Sequence, residues 1–439
     1  MIMKKRSKVA AVLGLSMMMG LAAGCRNDKA YVVEQSSRTK KEELVFYSPT
    51  AKGNEVREGG IMNSMQMAID EFERTHSDIR VSYKSYTPKD HKEKSYDDVV
   101  RDRVRNSMGD DLYIMNLDVA YEMYREGYLS DLSDLNAVKY LTDDALDQCT
   151  IDGKVVSVPM TMLCYGLFVN QDLLDRYDLK MPKTKQEFLN CCKVLKKNGI
   201  TPMAANRWWM ETFVLTQGLA SLYIEDGREE KIAAINSGKT PISKYMRPGF
   251  EFLQEMIEKD YFDVDFAKTA EAGDEKDQFL KQQAAFVVHY DTAIQDEIYG
   301  THEFNMAFIG FPTDEYGQVN LFNAAQRICI SSETKHLKMA KEFAEQMVSK
   351  EVTEDLQKNS GGFSPRKDAD YERPKILAAA YANMDAGRSM PGSNPEINLE
   401  QWGTTCDMVQ ELYKGKSVDQ VMDEFDAKQM ELVKKNNHK

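Results

Sequence analysis

A chain of 439 residues exceeds the roughly 250–300 at which a single core stops growing, so two lobes or domains are expected. With 42% hydrophobic and 29% charged residues it has material for real cores, while a mean hydropathy of −0.53 and the lack of a second long apolar run exclude a membrane channel. Beyond the first 24 residues the chain sets 53 basic against 70 acidic side chains, a formal charge of −17, which argues against nucleic acid as a partner and against a polybasic grip on anionic lipid.

The N-terminus reads as an address. Lys4, Lys5, Arg6 and Lys8 precede an apolar run from Val9 to Ala23 that is too short to cross a bilayer. That pattern is a secretory signal, spanning residues 1–24. It ends Leu21-Ala22-Ala23-Gly24-Cys25, which resembles the bacterial lipoprotein cleavage box with its leucine one step early. Acylation of Cys25 is therefore expected to hold the protein at the cell membrane, on the extracytoplasmic side. Residues 25–43 are polar and read as a tether, with the globular body beginning at Leu44.

The body then alternates strands and helices. Leu44–Tyr47 is a short apolar strand, and Ile61, Met65, Ala68, Ile69 and Phe72 recur at helical spacing. Ile79, Val81 and Tyr83 alternate as a strand, residues 96–107 form a helix, and 112–115 a third strand. This order predicts a parallel sheet with helices on both faces, and a ligand crevice beyond the carboxyl ends of its strands. Tyr47, Ser48, Asn116 and Asp118 fall at those ends. Further on, a turn at 152–154 precedes a strand at 165–169 and a helix through Phe188–Leu195. Helices follow near 210–222 and 249–259, then a strand at 285–288 ending in Tyr290 and Asp291. Strands are expected over 304–311 and 321–331, around a turn at 313–317, with a largely helical tail over 398–435.

Chemical signatures are sparse. Six cysteines besides Cys25 (149, 164, 191, 192, 329 and 406) show no metal-ligand spacing and read as small buried hydrophobes, and a disulfide between any pair cannot be placed. The histidines are scattered, and no zinc-protease motif, nucleophile elbow or phosphate loop occurs. No cofactor and no catalytic residue is expected.

One stretch is distinctive. It runs Asp152-Gly153-Lys154…Pro159, then Tyr165-Gly166-Leu167…Asn170-Gln171-Asp172-Leu173-Leu174. Pro182-Lys183-Thr184…Glu187-Phe188 and Gly199-Ile200-Thr201-Pro202 complete it. In order and spacing these resemble the family 1 extracellular solute-binding proteins of bacterial ABC importers, a maltose-binding-protein-like group. Gly361-Gly362-Phe363-Ser364-Pro365-Arg366-Lys367-Asp368-Ala369 is similar to a late loop of that family. The resemblance implies an α/β, two-lobed periplasmic-binding-protein-like (type II) clamshell with discontinuous lobes and a hinge. One lobe would hold 44–158 plus 326–384, the other 159–325 plus 385–439. It further implies a monomer that captures a solute by hinge closure and delivers it to membrane permease subunits served by a cytoplasmic ATPase.

A carbohydrate is the expected ligand, since aromatic rings cover sugar C–H faces while carboxylates and amides bond hydroxyls. The candidate contacts are Tyr47, Ser48, Asp118, Trp208, Trp209, Tyr290, Asp291 and Trp402. Where many relatives carry Gly-Ser-Trp after the second-lobe strand, this chain has Tyr290-Asp291-Thr292. The alternatives are a non-sugar solute or a sensing role on the same scaffold, and, less favoured, a surface glycan hydrolase.

Overall fold

The structure is a computed structural model that describes residues 41–50, 61–271, 273–293 and 303–437. The signal segment, most of the tether and Cys25 lie outside the described residues. The body begins slightly earlier than expected, because the first strand already starts at Glu42.

Among the described residues twelve strands occur, in chain order: β1 Glu42–Ser48, β2 Ile79–Ser85, β3 Leu112–Met115, β4 Thr150–Ile151, β5 Lys154–Val155, β6 Val158–Asn170, β7 Thr201–Ala204, β8 Ala284–Tyr290, β9 Met306–Ile309, β10 Phe311–Thr313, β11 Gly317–Ile330 and β12 Ser389–Pro391. All but the β4–β5 hairpin join one sheet, whose main path is β2-β1-β3-β11-β6-β8-β7. β1 lies parallel to both β2 and β3, and β7 parallel to β8. The long strands β6 and β11 run antiparallel to each other through the middle. The two ends of the sheet thus carry two α/β lobes, with β6 and β11 common to both.

Separate apolar layers cover these ends. In the first lobe, Met65, Ile69 and Phe72 of helix Ile61–Thr75 pack with Phe46 and Phe343 on one face of the sheet. Val100, Val104, Val119 and Met123 fill the opposite face around Tyr113. In the second lobe, Phe188, Phe213, Phe250, Phe286 and Phe425 form one core. Helix Met210–Ile224 is buried on nearly every side there, which fits its lack of a polar face. The first core also continues beneath the second lobe through Phe279, Val287 and Phe308.

The motifs singled out in the sequence each perform a local task. Asp152 and Gly153 take φ of +50° and +75° in the tight β4–β5 turn. Gly166 must lack a side chain, because a Cβ there would lie 2.3 Å from the Ile309 carbonyl oxygen of the paired β9. Asn170 accepts the Leu173 N–H at 3.0 Å and caps the helix Gln171–Arg176. Thr184 and Glu187 form a reciprocal capping box on helix Lys185–Lys197. The buried Arg366 grips Asp368 with two hydrogen bonds of 2.8 Å and donates to the Val348 carbonyl at 3.0 Å.

The expected elements are recovered with three instructive differences. β6 is thirteen residues long, not five, because its buried faces erase the polar alternation that marks a half-exposed strand. β7 adds a strand at the Thr201-Pro202 end of the motif, an edge strand, where the proline's missing N–H is tolerated. The strand expected over 304–311 is broken at Gly310, whose Cβ would lie within 2.9 Å of both Asn383 Nδ2 and Asn320 Oδ1.

Asp291 ties the two ends together. Its N–H donates to the Cys164 carbonyl at 2.8 Å, and its Oδ1 accepts the Cys164 N–H at 3.0 Å. Its Oδ2 is buried without a hydrogen-bond partner among the described residues, facing Gly362 and the equally unpartnered amide of Gln357. Tyr371 and Tyr381 strap that loop down by donating to the Gly362 carbonyl. Burial pushes the Asp291 carboxyl up to about 7. The folded protein therefore keeps a proton there that the unfolded chain releases near pH 4, so this group withdraws stability as pH rises from about 4 to 7. Asp291→Asn, which mimics the protonated carboxyl, should match the parent near pH 4 and exceed it at pH 8 by on the order of 2–4 kcal/mol in chemical denaturation. A gap that stays constant with pH would show that Asp291 is ionised in the fold.

Candidate functional site

Along β6 successive side chains alternate between faces, which sets Tyr165 opposite Cys164. Cys164 enters the first core, whereas Tyr165 emerges on the other face, into a group of rings from four chain segments. The Tyr165 ring lies 5.0 Å from Trp402 and 6.1 Å from both Trp209 and Tyr290. Trp209 in turn lies 5.5 Å from Tyr290 in an edge-on arrangement and 5.0 Å from His289. Trp209, Tyr290 and Trp402 are half-buried, so the cluster presents an aromatic wall and not a sealed core.

The backbone strains to build this wall. Trp209 stands immediately before helix Met210–Ile224 with φ of +75°, a conformation that costs a bulky residue on the order of 1–3 kcal/mol. Its indole N–H is buried without a partner among the described residues. Trp402 opens helix Trp402–Tyr413 and leans on Gly392, where an added Cβ would lie 2.5 Å from the ring. Only glycine fits there, and the Gly392 N–H is in turn fixed by Asn323 Oδ1 of β11 at 2.9 Å.

Carboxyls surround the rings. Glu211 is buried next to Trp209, and burial pushes it up to about 7; its charge reaches Tyr165 and Tyr413. Glu400 accepts the N–H groups of Gly403 and Thr404 at 3.1 and 3.0 Å, which fixes it at the start of the Trp402 helix. Burial raises Glu400, and the charge of Asp118 raises it further. Asp118 lies in the first turn of helix Leu117–Arg125, just beyond β3, close enough for its charge to reach Glu400. Asp118 is exposed and accepts a 3.2 Å hydrogen bond from Arg101.

A groove of about 500 Å³ separates the segment 144–153 from the loop 391–398. Asp144, Asp147, Asp152 and Glu396 line it against only Arg125 and Arg228, an excess of negative charge that disfavours anionic ligands. Arg228 and Asp147 pair across it at 2.9 Å.

The sequence-expected contacts divide into two sets. Trp209, Tyr290 and Trp402 stand at the wall, and the charge of Asp118 reaches Glu400 beside it. The others are engaged elsewhere. Tyr47 is 2% exposed, stacked on Tyr96 and covered by the Arg103 guanidinium at 4.2 Å. Ser48 is buried at the end of β1, where its Oγ accepts the Thr50 N–H. Asp291 is buried in the junction described above. Trp208 lies outside the ring cluster, with Arg207 4.0 Å over its face. Tyr165, Glu211 and Glu400 were missed; for Tyr165 the signal was a polar-tipped aromatic in an otherwise apolar strand, while the two acids are indistinguishable by sequence from surface acids.

A family model described as bacterial extracellular solute-binding protein matches residues 58–354. The melibiose/raffinose/stachyose-binding protein MelE of Bacillus subtilis is 25% identical over 342 residues, covering 76% of this chain and 75% of its own. Among solved structures, the binding protein MsmE of Bacillus subtilis superposes with a TM-score of 0.71 at 18% identity, over 91% of this chain and 99% of its own. A sugar transporter of Bacillus licheniformis in complex with stachyose does so with a TM-score of 0.66 at 18% identity, over 89% and 100%. The two-lobed architecture is shared with these structures, and the chain belongs to the bacterial extracellular solute-binding proteins.

Proposed function

We propose that this protein is the capture component of an ABC importer and binds a neutral oligosaccharide between its lobes. The observation that carries this reading is the wall of Trp209, Tyr290 and Trp402, backed by the buried ring of Tyr165. Such rings cover the C–H faces of pyranoses, and carboxyls beside them accept sugar hydroxyls. The acids around the rings, Glu211, Glu400 and Asp118, favour a neutral sugar over an acidic one. The names of MelE and of the stachyose complex point to raffinose-type sugars as the first class to try.

Binding would draw lobe 44–158 plus 326–384 toward lobe 159–325 plus 385–439, with β6 and β11 flexing at the crossing. A lipid on Cys25 would hold the protein at the outer membrane face, where the closed form meets the permease. The sugar is released unchanged.

Calorimetric titration with melibiose, raffinose and stachyose, followed by chromatography of the recovered sugar, tests this. Saturable binding of at least one intact sugar is expected; absence of binding across the panel, or cleavage products, would refute it. Trp209→Ala and Trp402→Ala should each weaken binding at least tenfold, about 1.4 kcal/mol or more. Trp208→Ala should change affinity by less than about threefold, since its ring stands outside the wall. Gly392→Ala forces the Trp402 ring aside, and should reproduce most of the Trp402→Ala loss while the far-ultraviolet circular dichroism stays that of the parent.

A further inference from the structure

Behind the wall runs a buried polar chain with no direct path to a ligand. Glu275 is 1% exposed and lies in the first turn of helix Asp274–Leu280. Its Oε2 accepts Asn206 Nδ2 at 2.8 Å and the Gly273 N–H at 3.0 Å. Its Oε1 has no hydrogen-bond partner among the described residues and stands 3.6 Å from His289 Nε2, beyond hydrogen-bond reach; His289 is only 3% exposed. The His289 Nδ1 accepts the Tyr290 N–H at 3.0 Å, which leaves the proton of the neutral ring on Nε2, the nitrogen nearer Glu275. Burial and the charge of Lys276 drive His289 down to about 3, so the ring stays neutral in ordinary buffers. From the other end, Asn206 Oδ1 accepts the Trp208 N–H at 2.9 Å.

The carboxylate therefore holds one support of the wall and packs beside the other. Through Asn206 it fixes the turn that enters Trp208 and Trp209. Next to it, His289 lies 5.0 Å from the Trp209 ring and accepts the backbone N–H of Tyr290. Trp209 holds a left-handed backbone at that place, and such a conformation persists only when its surroundings over-determine it.

We infer that Glu275, His289 and Asn206 are positioning residues that hold the Trp208–Trp209 turn and the Trp209 ring in the shape that receives the ligand. This rests on the reading above in one respect, that Trp209 touches the sugar. The chain acts before any sugar arrives, so its effect is visible in the free protein as well as in affinity.

The test is a double-mutant cycle in the full chain, with raffinose and stachyose as probes and near-ultraviolet circular dichroism of the indoles as a second readout. Glu275→Ala should weaken binding about tenfold and alter the indole band of the free protein. Glu275→Gln, which keeps an acceptor for Asn206 and Gly273, should restore part of both. In a Trp209→Ala background, Glu275→Ala should cost less than about twofold more in affinity. Equal losses in both backgrounds would mean a general structural role and would overturn the inference, as would an unaltered band and affinity in Glu275→Ala. Should Trp209→Ala itself leave affinity untouched, the sugar-contact reading falls alone, and the indole band decides the positioning role: altered by Glu275→Ala it stands, unaltered it falls. If Glu275→Ala does not fold, Glu275→Gln and Asn206→Ala carry the same comparison.

Discussion

From Leu321 opposite Tyr165 to Ile328 opposite Val158, β6 and β11 pair antiparallel in one register. Every feature of the candidate cleft refers back to that pairing. A slip of one residue would turn Tyr165 into the first core and Cys164 out toward Trp402, since side chains on a strand change face at each step. The same strands pair outward with β3, β8, β9 and β12, so the two lobes inherit their relative placement from one ladder. Asn323 of β11 then fixes Gly392, Gly392 admits Trp402, and Trp402 meets Tyr165 of β6. That circuit closes from one crossing strand to the other.

Much of the architecture was legible in the sequence because it depends on local periodicity. Helix Ile61–Thr75 buries Met65, Ala68, Ile69 and Phe72, four of the five residues whose spacing announced it, and the alternation at Ile79 and Val81 survives as β2. Motif glycines and caps were legible too, for their causes are local: a left-handed turn at Gly153, a capping box at Thr184, a close approach at Gly166. The site was only partly legible. Strand ends pointed to Tyr47 and Ser48, but whether an aromatic at a strand end meets solvent or a neighbour depends on a helix far along the chain. Here Tyr96 and Arg103 arrive to cover Tyr47. Adjacent Trp208 and Trp209 were equivalent by sequence, and only the strained backbone at Trp209 separates them.

Acid placement shows the same limit. Among 70 acidic residues, nothing in composition marks Glu211, Glu275, Asp291 or Glu400 as buried. Each is withdrawn from water by packing between segments distant in sequence, and burial raises all four. Three of them, Glu211, Glu275 and Glu400, take backbone N–H groups at helix starts, where the unsatisfied donors and the helix dipole favour a carboxylate. Burial and helix-end bonding oppose each other at these groups, and burial prevails.

These terms bear on why the wall is built from rigid parts. Tyr and Trp have few rotatable bonds, so holding them costs little side-chain entropy, and the larger cost falls on the backbone that aims them. At Trp209 that cost takes the form of a left-handed residue; at Trp402, of a glycine that leaves the chain free to wander when unfolded. Both are incurred at folding, before any ligand is present. A ligand that meets an already ordered wall need not supply that ordering energy from its own contacts. On the proposed reading what it must supply is the closure of the lobes, and a ligand stabilises the closed form only by touching the Trp209–Trp402 wall and the other lobe together.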